Sequence, residues 1–159
     1  CPCGHFPDRS RCRCTDGQIT RYLQKVSGPM LDRIDICVEA APITYGDIKS
    51  SGNNESSREI RARVEQARKI QRERFAGENV RCNGEMSGRH IRKFCGLGRE
   101  EEKFMEEIFE KLALSARMHD RILKVARTTA DLAEEEKIRL ADLCEAVSYV
   151  KSRDKFWGN

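Results

Sequence analysis

The sequence predicts a mainly helical fold with a small α/β segment at its N-terminal end. Three observations support this prediction. Apolar residues recur at helical spacing through most of 58–151, one short run alternates apolar and polar residues, and a Gly-, Ser- and Asn-rich stretch separates the two parts. A chain of 159 residues is the size of one domain, or of one domain with a small annex. We therefore expect an N-terminal part over 1–44, a linker over 45–57 and a helical domain over 58–159.

The N-terminal part is expected to contain one helix and one strand. Residues 18–25 favour a short helix, which Gly28 and Pro29 would end. Residues 34–39 alternate apolar and polar side chains with the period of a half-buried strand. This run is the only segment for which the sequence predicts a strand.

The helical domain should begin with a long helix. Ser56 and Glu59 have the spacing of a capping box, in which each residue satisfies a free amide at the helix start. The helix should reach about Phe75, where Gly77 provides a stop. Its predicted inner face consists of Ile60, Val64, Ala67, Ile70 and Phe75.

Four further helices are expected after this one. A short helix fits near 88–95, and another should start at about Arg99, with glutamates in its first turn. Ser115 is a suitable N-cap for the next helix, whose apolar residues step by three and four. A last helix is expected over about 136–151.

The charge is unevenly distributed, although the net charge is only +4. Residues 58–93 contain 11 Lys and Arg against 5 Glu, whereas residues 100–136 contain 6 basic against 11 acidic residues. A basic helix can contact the phosphates of a nucleic acid, and Arg61, Arg68 and Arg72 are the candidates for this role. The alternative is an ordinary solvated helix face.

Four of the eight cysteines lie within the first fourteen residues. Cys1, Cys3, Cys12 and Cys14 form two C-x-C pairs, which supply the four thiolates of a closed zinc site, with His5 as a spare ligand. Disulfide bonds and a reduced loop without a role are the alternatives. The remaining cysteines are scattered, and we assign them no role: Cys37, Cys82, Cys95 and Cys144.

Several function classes are excluded or disfavoured by missing motifs. The sequence has no Gly-Lys pair, so it contains no phosphate-binding P-loop. His5, His90 and His119 are too scattered to indicate a metalloenzyme. No apolar run reaches the 18 residues that a membrane span requires, so we expect no membrane partner and a cytoplasmic location.

Two arginines stand in unusual surroundings. Arg33 lies between Asp32 and Asp35, at the entry to the predicted strand. Arg117 lies in the first turn of a predicted helix, where its charge opposes the helix dipole, and such an arginine can be retained to meet an anion. For each, the alternative is a surface arginine without a special role.

These motifs resemble the C-terminal part of the magnesium chelatase-like AAA+ ATPases, on the ComM/YifB branch. The resemblance rests on CPCG at 1–4, on C-R-C at 12–14 and on the segment Y-x-x-x-V-S-G-P-M-L-D-R-I-D-I-C-V-E at 22–39. S-A-R-M-H-D-R-I-L-K-V-A-R-T-T-A-D-L-A at 115–133 and E-A-V-S-Y at 145–149 follow in the same order. The implied fold is the helical lid of an AAA+ ATPase, preceded by the last strand of the AAA+ core.

The resemblance also implies roles for the two arginines. Arg33 would be an arginine finger that reaches into the nucleotide site of a neighbouring subunit, and Arg117 would be the sensor-2 arginine of its own subunit. ATP and Mg²⁺ would be cofactors of the full protein. This chain lacks Walker A, Walker B and sensor 1, so it should not hydrolyse ATP alone.

The implied partners are the upstream AAA+ core, identical subunits in a hexameric ring, and DNA. The ComM branch is similar to DNA motors that act in branch migration during natural transformation. One alternative is a magnesium chelatase subunit that drives metal insertion into porphyrin. Another is a non-enzymatic, zinc-stabilised helical module that binds nucleic acid.

Overall fold

The described part of the chain comprises residues 1–31, 33–41, 43–49 and 54–157 of a computed structural model. It divides into two compact units, one formed by Cys1–Val38 with Val150–Asn159 and the other by Glu39–Tyr149. Within the described residues the secondary structure is helical, so the mainly α fold class is confirmed. None of the described helices is long and apolar enough to cross a membrane.

The N-terminal helices are short. The cysteine-rich loop is followed by α1, α2 and α3, which span Asp16–Leu23, Gly28–Leu31 and Tyr45–Lys49. Thr15 caps α1, since its side chain accepts a hydrogen bond from the Gln18 N–H and the Gln18 side chain accepts one from the Thr15 N–H. The helix predicted over 18–25 is therefore confirmed, with a start two residues earlier.

The remaining helices, all but α5 longer than the first three, carry most of the buried residues. Their bounds are Ser57–Arg74 for α4, Gly88–Phe94 for α5, Arg99–Lys111 for α6, Ala116–Leu132 for α7 and Leu140–Trp157 for α8, with a 3-10 turn at Asn83–Glu85. Both predicted caps are present, because the Ser56 and Ser115 hydroxyls accept hydrogen bonds from the N–H groups of Glu59 and Met118.

Helix α7 is the centre of the second unit. Helices α4 and α5 and the 3-10 turn all pack against it. On its inward face Ile122 is 1% exposed, and the small residues Ala126 and Ala130 are completely buried. Such small side chains allow the neighbouring elements to approach α7 closely.

Three sequence predictions need correction. No strand forms over 34–39 in the described chain, because an isolated strand has no partner for its backbone groups; Ile36 and Val38 are 52% and 73% exposed. Of the predicted inner face of α4, only Ala67 and Phe75 are buried, since Ile60 and Val64 are exposed and Ile70 is half-buried. The last helix starts at Leu140, where Asp142 accepts a hydrogen bond from the Arg139 N–H.

Residues 32, 42, 50–53 and 158–159 lie outside the described residues, and part of the predicted linker and the end of the predicted helical domain fall there. The described residues 45–49 of that linker form α3.

Helices α6 and α7 end in the same way. Ala113 and Glu134, which follow their C-caps, have positive φ angles of 46° and 57°. The next N–H in each case bonds a carbonyl five residues back, from Leu114 to Phe109 and from Glu135 to Ala130. This is the Schellman pattern, in which glycine is the usual residue at the positive-φ position.

Candidate functional site

Arg33 follows α2 and is exposed. Its Nη1 donates a hydrogen bond to the Pro29 carbonyl oxygen at 3.2 Å. This bond uses one of the five N–H groups of the guanidinium, and it is the bond that this side chain makes to the described residues. The neighbouring Asp35 is described, whereas Asp32 lies outside the described residues.

Arg117 is the second residue of α7 and is also exposed. The first turn of α7 contains no acidic residue, and among the side chains that the structure describes, which exclude 151–157, no carboxylate forms an ion pair with Arg117. A positive charge at this end of a helix is unfavourable by about 0.3–1 kcal/mol. The predicted location at an exposed helix start is thus confirmed, while its role stays a prediction.

The position of α7 is fixed by a buried ion network that the sequence analysis did not predict. Asp131, with 0% exposure, accepts hydrogen bonds from Arg74 Nη1 at 2.7 Å and from Arg127 Nε at 3.0 Å. Asn83 Nδ2 adds a third bond to Asp131 at 2.8 Å. Because these residues belong to α4, the 3-10 turn and α7, the network joins three elements.

Arg127 extends this network to the loop before α8. Its two terminal nitrogens donate hydrogen bonds to the carbonyl oxygens of Glu135 and Glu136 at 2.6 and 2.8 Å. Burial lowers the pKa of Arg127, and the adjacent Asp131 carboxylate opposes this effect. The i, i+4 spacing of Arg127 and Asp131 on a mostly apolar helix face was the available signal in the sequence.

The candidate nucleic-acid residues form one exposed stripe on α4. Arg61, Arg68 and Arg72 are spaced by seven and four residues, which places them on one side of the helix. Arg68 and Arg72 also line a cavity of about 520 Å³ together with Arg81, which sequence reasoning missed. The same cavity contains Glu85, which accepts a hydrogen bond from the Arg81 N–H.

A larger cavity, of about 900 Å³, lies among α5, α6 and α7. Its walls include Glu102, Glu106, Glu110 and Asp120. Arg92 and His119 also line it, but the four carboxylates outnumber them, and this balance disfavours a nucleotide triphosphate as occupant. Ala116, the residue before Arg117, lines the same cavity.

The four N-terminal cysteines lie together, as predicted. All four sulfur atoms are within 4.8 Å of one another. The Cys1–Cys3 distance is 3.4 Å, and Cys12 Sγ lies 3.6 Å from each of these two sulfurs. All four are free thiols, so the disulfide alternative does not describe this structure. The cluster could therefore hold a metal ion, and His5 does not belong to it.

Hydrogen bonding lowers the pKa of one of these thiols. The backbone N–H of His5 and the side chains of Cys14 and Cys12 lower the pKa of Cys3 to about 6, against the opposing effect of burial. Since thiolates are the form that binds metals, the environment of Cys3 favours its binding form at neutral pH.

Comparison with known families covers both parts of the chain. The family model described as magnesium chelatase, subunit ChlI C-terminal, matches residues 54–150, and the one described as magnesium chelatase, subunit ChlI, matches residues 1–48. This chain belongs to the magnesium chelatase subunit ChlI family. The resemblance seen in the motifs is thereby confirmed.

Within the ChlI family, the chain is similar to the ComM/YifB proteins. It is 38% identical over 149 residues to competence protein ComM of Haemophilus influenzae. Its identity to the uncharacterised protein YifB is 38% in Salmonella typhimurium and 39% in Escherichia coli. Each alignment covers 93% of this chain but only 28% of the relative, so the chain spans just over a quarter of their length.

Proposed function

We propose that this chain is the lid and arginine-finger part of a ring-forming, magnesium chelatase-like AAA+ ATPase. The observation that carries the proposal is the match to the ChlI family along nearly the whole chain, and the exposure of Arg33 and Arg117 is compatible with it. The upstream AAA+ core and identical subunits of a hexamer are the proposed partners. ATP and Mg²⁺ are the proposed cofactors of the full protein.

In this proposal the two arginines contact the same nucleotide from different subunits. Arg117 belongs to the subunit that holds ATP, and Arg33 comes from its neighbour. The transition state of phosphoryl transfer spreads negative charge over its oxygens, and a guanidinium that meets this charge accelerates the reaction by roughly 10³–10⁵-fold. The uncompensated position of Arg117 at a helix N-terminus is suited to such an anion.

ATP hydrolysis by the complete protein tests these roles. Arg33→Ala and Arg117→Ala should each lower kcat by a factor of roughly 10³ or more, by analogy with other arginine fingers. Arg99→Ala is a matched control, because Arg99 is an exposed arginine at the start of α6. Wild-type turnover in both variants, or an equal loss in the control, would refute the assignment.

Mixed rings test which subunit supplies each arginine. If Arg33 acts in the neighbour's site and Arg117 in its own, mixing the two inactive variants should restore activity. In an equimolar mixture, about a quarter of the interfaces join an intact Arg33 to an intact Arg117 around one nucleotide. No recovery in rings that have exchanged subunits would contradict the assignment of Arg33 to the neighbour.

DNA is the proposed substrate of the motor, which would act in branch migration during natural transformation. The support comes from the similarity to a competence protein and from the exposed stripe of Arg61, Arg68 and Arg72. Branched or single-stranded DNA should then stimulate ATP hydrolysis by the complete protein. Stimulation only by porphyrin with its partner subunits would favour the second candidate, a chelatase motor, which the ChlI family description supports.

Salt dependence tests the basic stripe directly. Neutralising Arg61, Arg68 and Arg72 to Gln should reduce the slope of log affinity against log salt by roughly one for each lost phosphate contact. Lys103→Gln with Lys111→Gln is the control, because these exposed lysines belong to the acidic segment. DNA binding by this chain without any link to hydrolysis in the complete protein would favour a non-enzymatic nucleic-acid-binding module.

For the four-cysteine cluster, the cofactor proposed is zinc. Thiolate donors select soft metals, and zinc is the usual ion in a site of four cysteines.

A further inference from the structure

The cysteine-rich loop lacks the burial that normally fixes a protein segment. None of residues 1–15 is buried, and in α1 only Ile19 is. An isolated helix of eight residues is marginal in water, because too few hydrogen bonds offset its nucleation. In segments with so little core, a disulfide or a metal commonly supplies the missing constraint.

The sulfur positions match a tetrahedral metal site. A zinc–sulfur bond of about 2.3 Å in a regular tetrahedron places neighbouring sulfurs about 3.8 Å apart. The three distances among Cys1, Cys3 and Cys12 are 3.4, 3.6 and 3.6 Å, and Cys14 Sγ is within 4.8 Å of all three. Small adjustments would therefore close the site.

The loop backbone holds the two C-x-C pairs in this arrangement. Gly4 has a φ of 78°, and its N–H bonds the Cys1 carbonyl oxygen at 3.0 Å, which turns the chain after the first pair. The Phe6 N–H donates to Cys1 Sγ at 3.2 Å. At the second pair, the Cys12 N–H bonds the Asp8 carbonyl oxygen at 2.9 Å. A backbone N–H directed at a sulfur stabilises a negatively charged thiolate ligand.

We propose that Cys1, Cys3, Cys12 and Cys14 bind one Zn²⁺ ion in a closed tetrathiolate site, and that this ion anchors the start of α1. Cys14 directly precedes Thr15, the residue that caps α1. Fixing Cys14 therefore fixes the cap and the first turn. On binding, the thiols that are still protonated lose their protons to solvent, and the metal is neither oxidised nor reduced. This inference rests on the zinc proposed above and adds its role in holding α1, and it does not depend on the proposed ATPase function.

Metal content and cobalt spectroscopy of the 159-residue chain test the site. Protein purified under reducing conditions should contain one Zn²⁺ per chain by elemental mass spectrometry. Replacement by Co²⁺ should give the intense visible bands of tetrahedral cobalt and thiolate-to-cobalt charge transfer. Cys3→Ser and Cys12→Ser should each lower the affinity for Zn²⁺ by about tenfold or more, as measured by competition with a chromophoric chelator. Even the loss of a residue that only hydrogen-bonds a ligand lowers metal affinity by about that factor.

Matched controls separate the four ligands from other residues of the same type. Cys37→Ser and Cys82→Ser are expected to retain full zinc content, because both residues lie outside the cluster. His5→Ala should also retain it, since His5 is not part of the cluster. The zinc assignment would be overturned if the chain stayed metal-free with excess Zn²⁺ at neutral pH or bound iron in preference. An equal loss of zinc in the control variants would overturn it as well.

Hydrogen exchange tests the anchoring of α1. Removing zinc with a chelator should increase amide exchange in Asp16–Leu23 while leaving α7 unchanged, and restoring zinc should reverse the increase. Unchanged exchange in α1 after complete removal of the metal would refute the anchoring role. The Cys37→Ser chain serves as the control for nonspecific effects of thiol loss.

Discussion

In the first unit, Ile19 and Leu31 are the only buried residues among the described part of residues 1–38. In the second unit, every helix from α4 to α7 contributes buried side chains, and a buried ion network crosses three elements. The contrast shows two ways to fix a fold. Burial and ion pairing fix the second unit, whereas the N-terminal loop has backbone hydrogen bonds and a cluster of four thiols but almost no buried side chains.

The strongest test of this contrast is removal of the charge at the centre of the ion network. Asp131→Asn should lower the free energy of unfolding by about 3–5 kcal/mol, because Arg74 and Arg127 keep their charges without a carboxylate. Glu135→Gln is the control, since its pair with Arg139 is 45% exposed on both sides and should change stability by less than about 1 kcal/mol. Urea unfolding measures both, and similar losses would contradict the central role of Asp131.

A second test compares buried and exposed isoleucines in the second unit. Ile122→Ala should cost about 2–5 kcal/mol, because it leaves a cavity in a position that is 1% exposed. Ile60→Ala should cost less than about 1 kcal/mol, because Ile60 is 44% exposed. The same unfolding assay measures both variants. Equal costs would mean that Ile60 is covered in solution.

A third test uses the different behaviour of the cysteines. Burial raises the pKa of Cys95 to about 11, so about 0.1% of it is thiolate at pH 8. We expect iodoacetamide at pH 8 to modify the exposed Cys144 and to leave Cys95 intact until the chain unfolds. Peptide mass spectrometry measures this order. Modification of Cys95 at the same rate as Cys144 would show that the second unit opens readily.

The raised pKa of Cys95 also predicts a pH dependence. The neutral thiol is favoured in the folded state, so its contribution to stability is present below the ordinary pKa of 9.0 and is lost as the pH rises towards 11. Cys95→Val should therefore lose less stability than the wild type between pH 9 and 11. Urea unfolding of both proteins at pH 9 and pH 11 measures the two losses of stability, and an equal loss would contradict this expectation.

The smallest expected effect concerns the end of α6. Ala113→Gly should raise the free energy of unfolding by about 0.5–1 kcal/mol, because Ala113 has a positive φ that glycine adopts without strain. Ala62→Gly is the matched control, since the same change inside the exposed part of α4 should lower stability by about 1 kcal/mol. Thermal unfolding should shift in opposite directions.

The sequence predicted most helices because their start signals are local. The capping residues Ser56 and Ser115 act within one turn, and the structure confirms both. The prediction of a strand over 34–39 was wrong, because a strand needs hydrogen bonds to a distant backbone segment and the alternation of side chains does not reveal such a partner. Likewise, helical periodicity in α4 marked Ile60 and Val64 as inward-facing, but it does not show whether a partner covers that part of the helix.

The candidate site was predictable to different degrees. The cysteine cluster was predicted from residue type and spacing, and the four sulfurs do lie together. Arg117 lies in the first turn of a helix as predicted, whereas Arg33 does not precede a strand, and the roles of both arginines stay predictions. The Arg74, Asn83 and Asp131 contacts were not predictable, because they join residues up to 57 positions apart. Arg81 lines the same cavity as Arg68 and Arg72 because the chain turns back after α4.

The ion network lies near one end of α7, and Arg117 lies near the other. Fourteen residues of helix separate Asp131 from Arg117, a distance of about 21 Å along the axis. The network holds one end of α7, and Arg117 lies at the other end. A tilt of α7 by about 10° around Asp131 would move the Arg117 backbone by about 4 Å, which exceeds the length of a hydrogen bond. A change in the network that tilted α7 would therefore move Arg117 without contacting it.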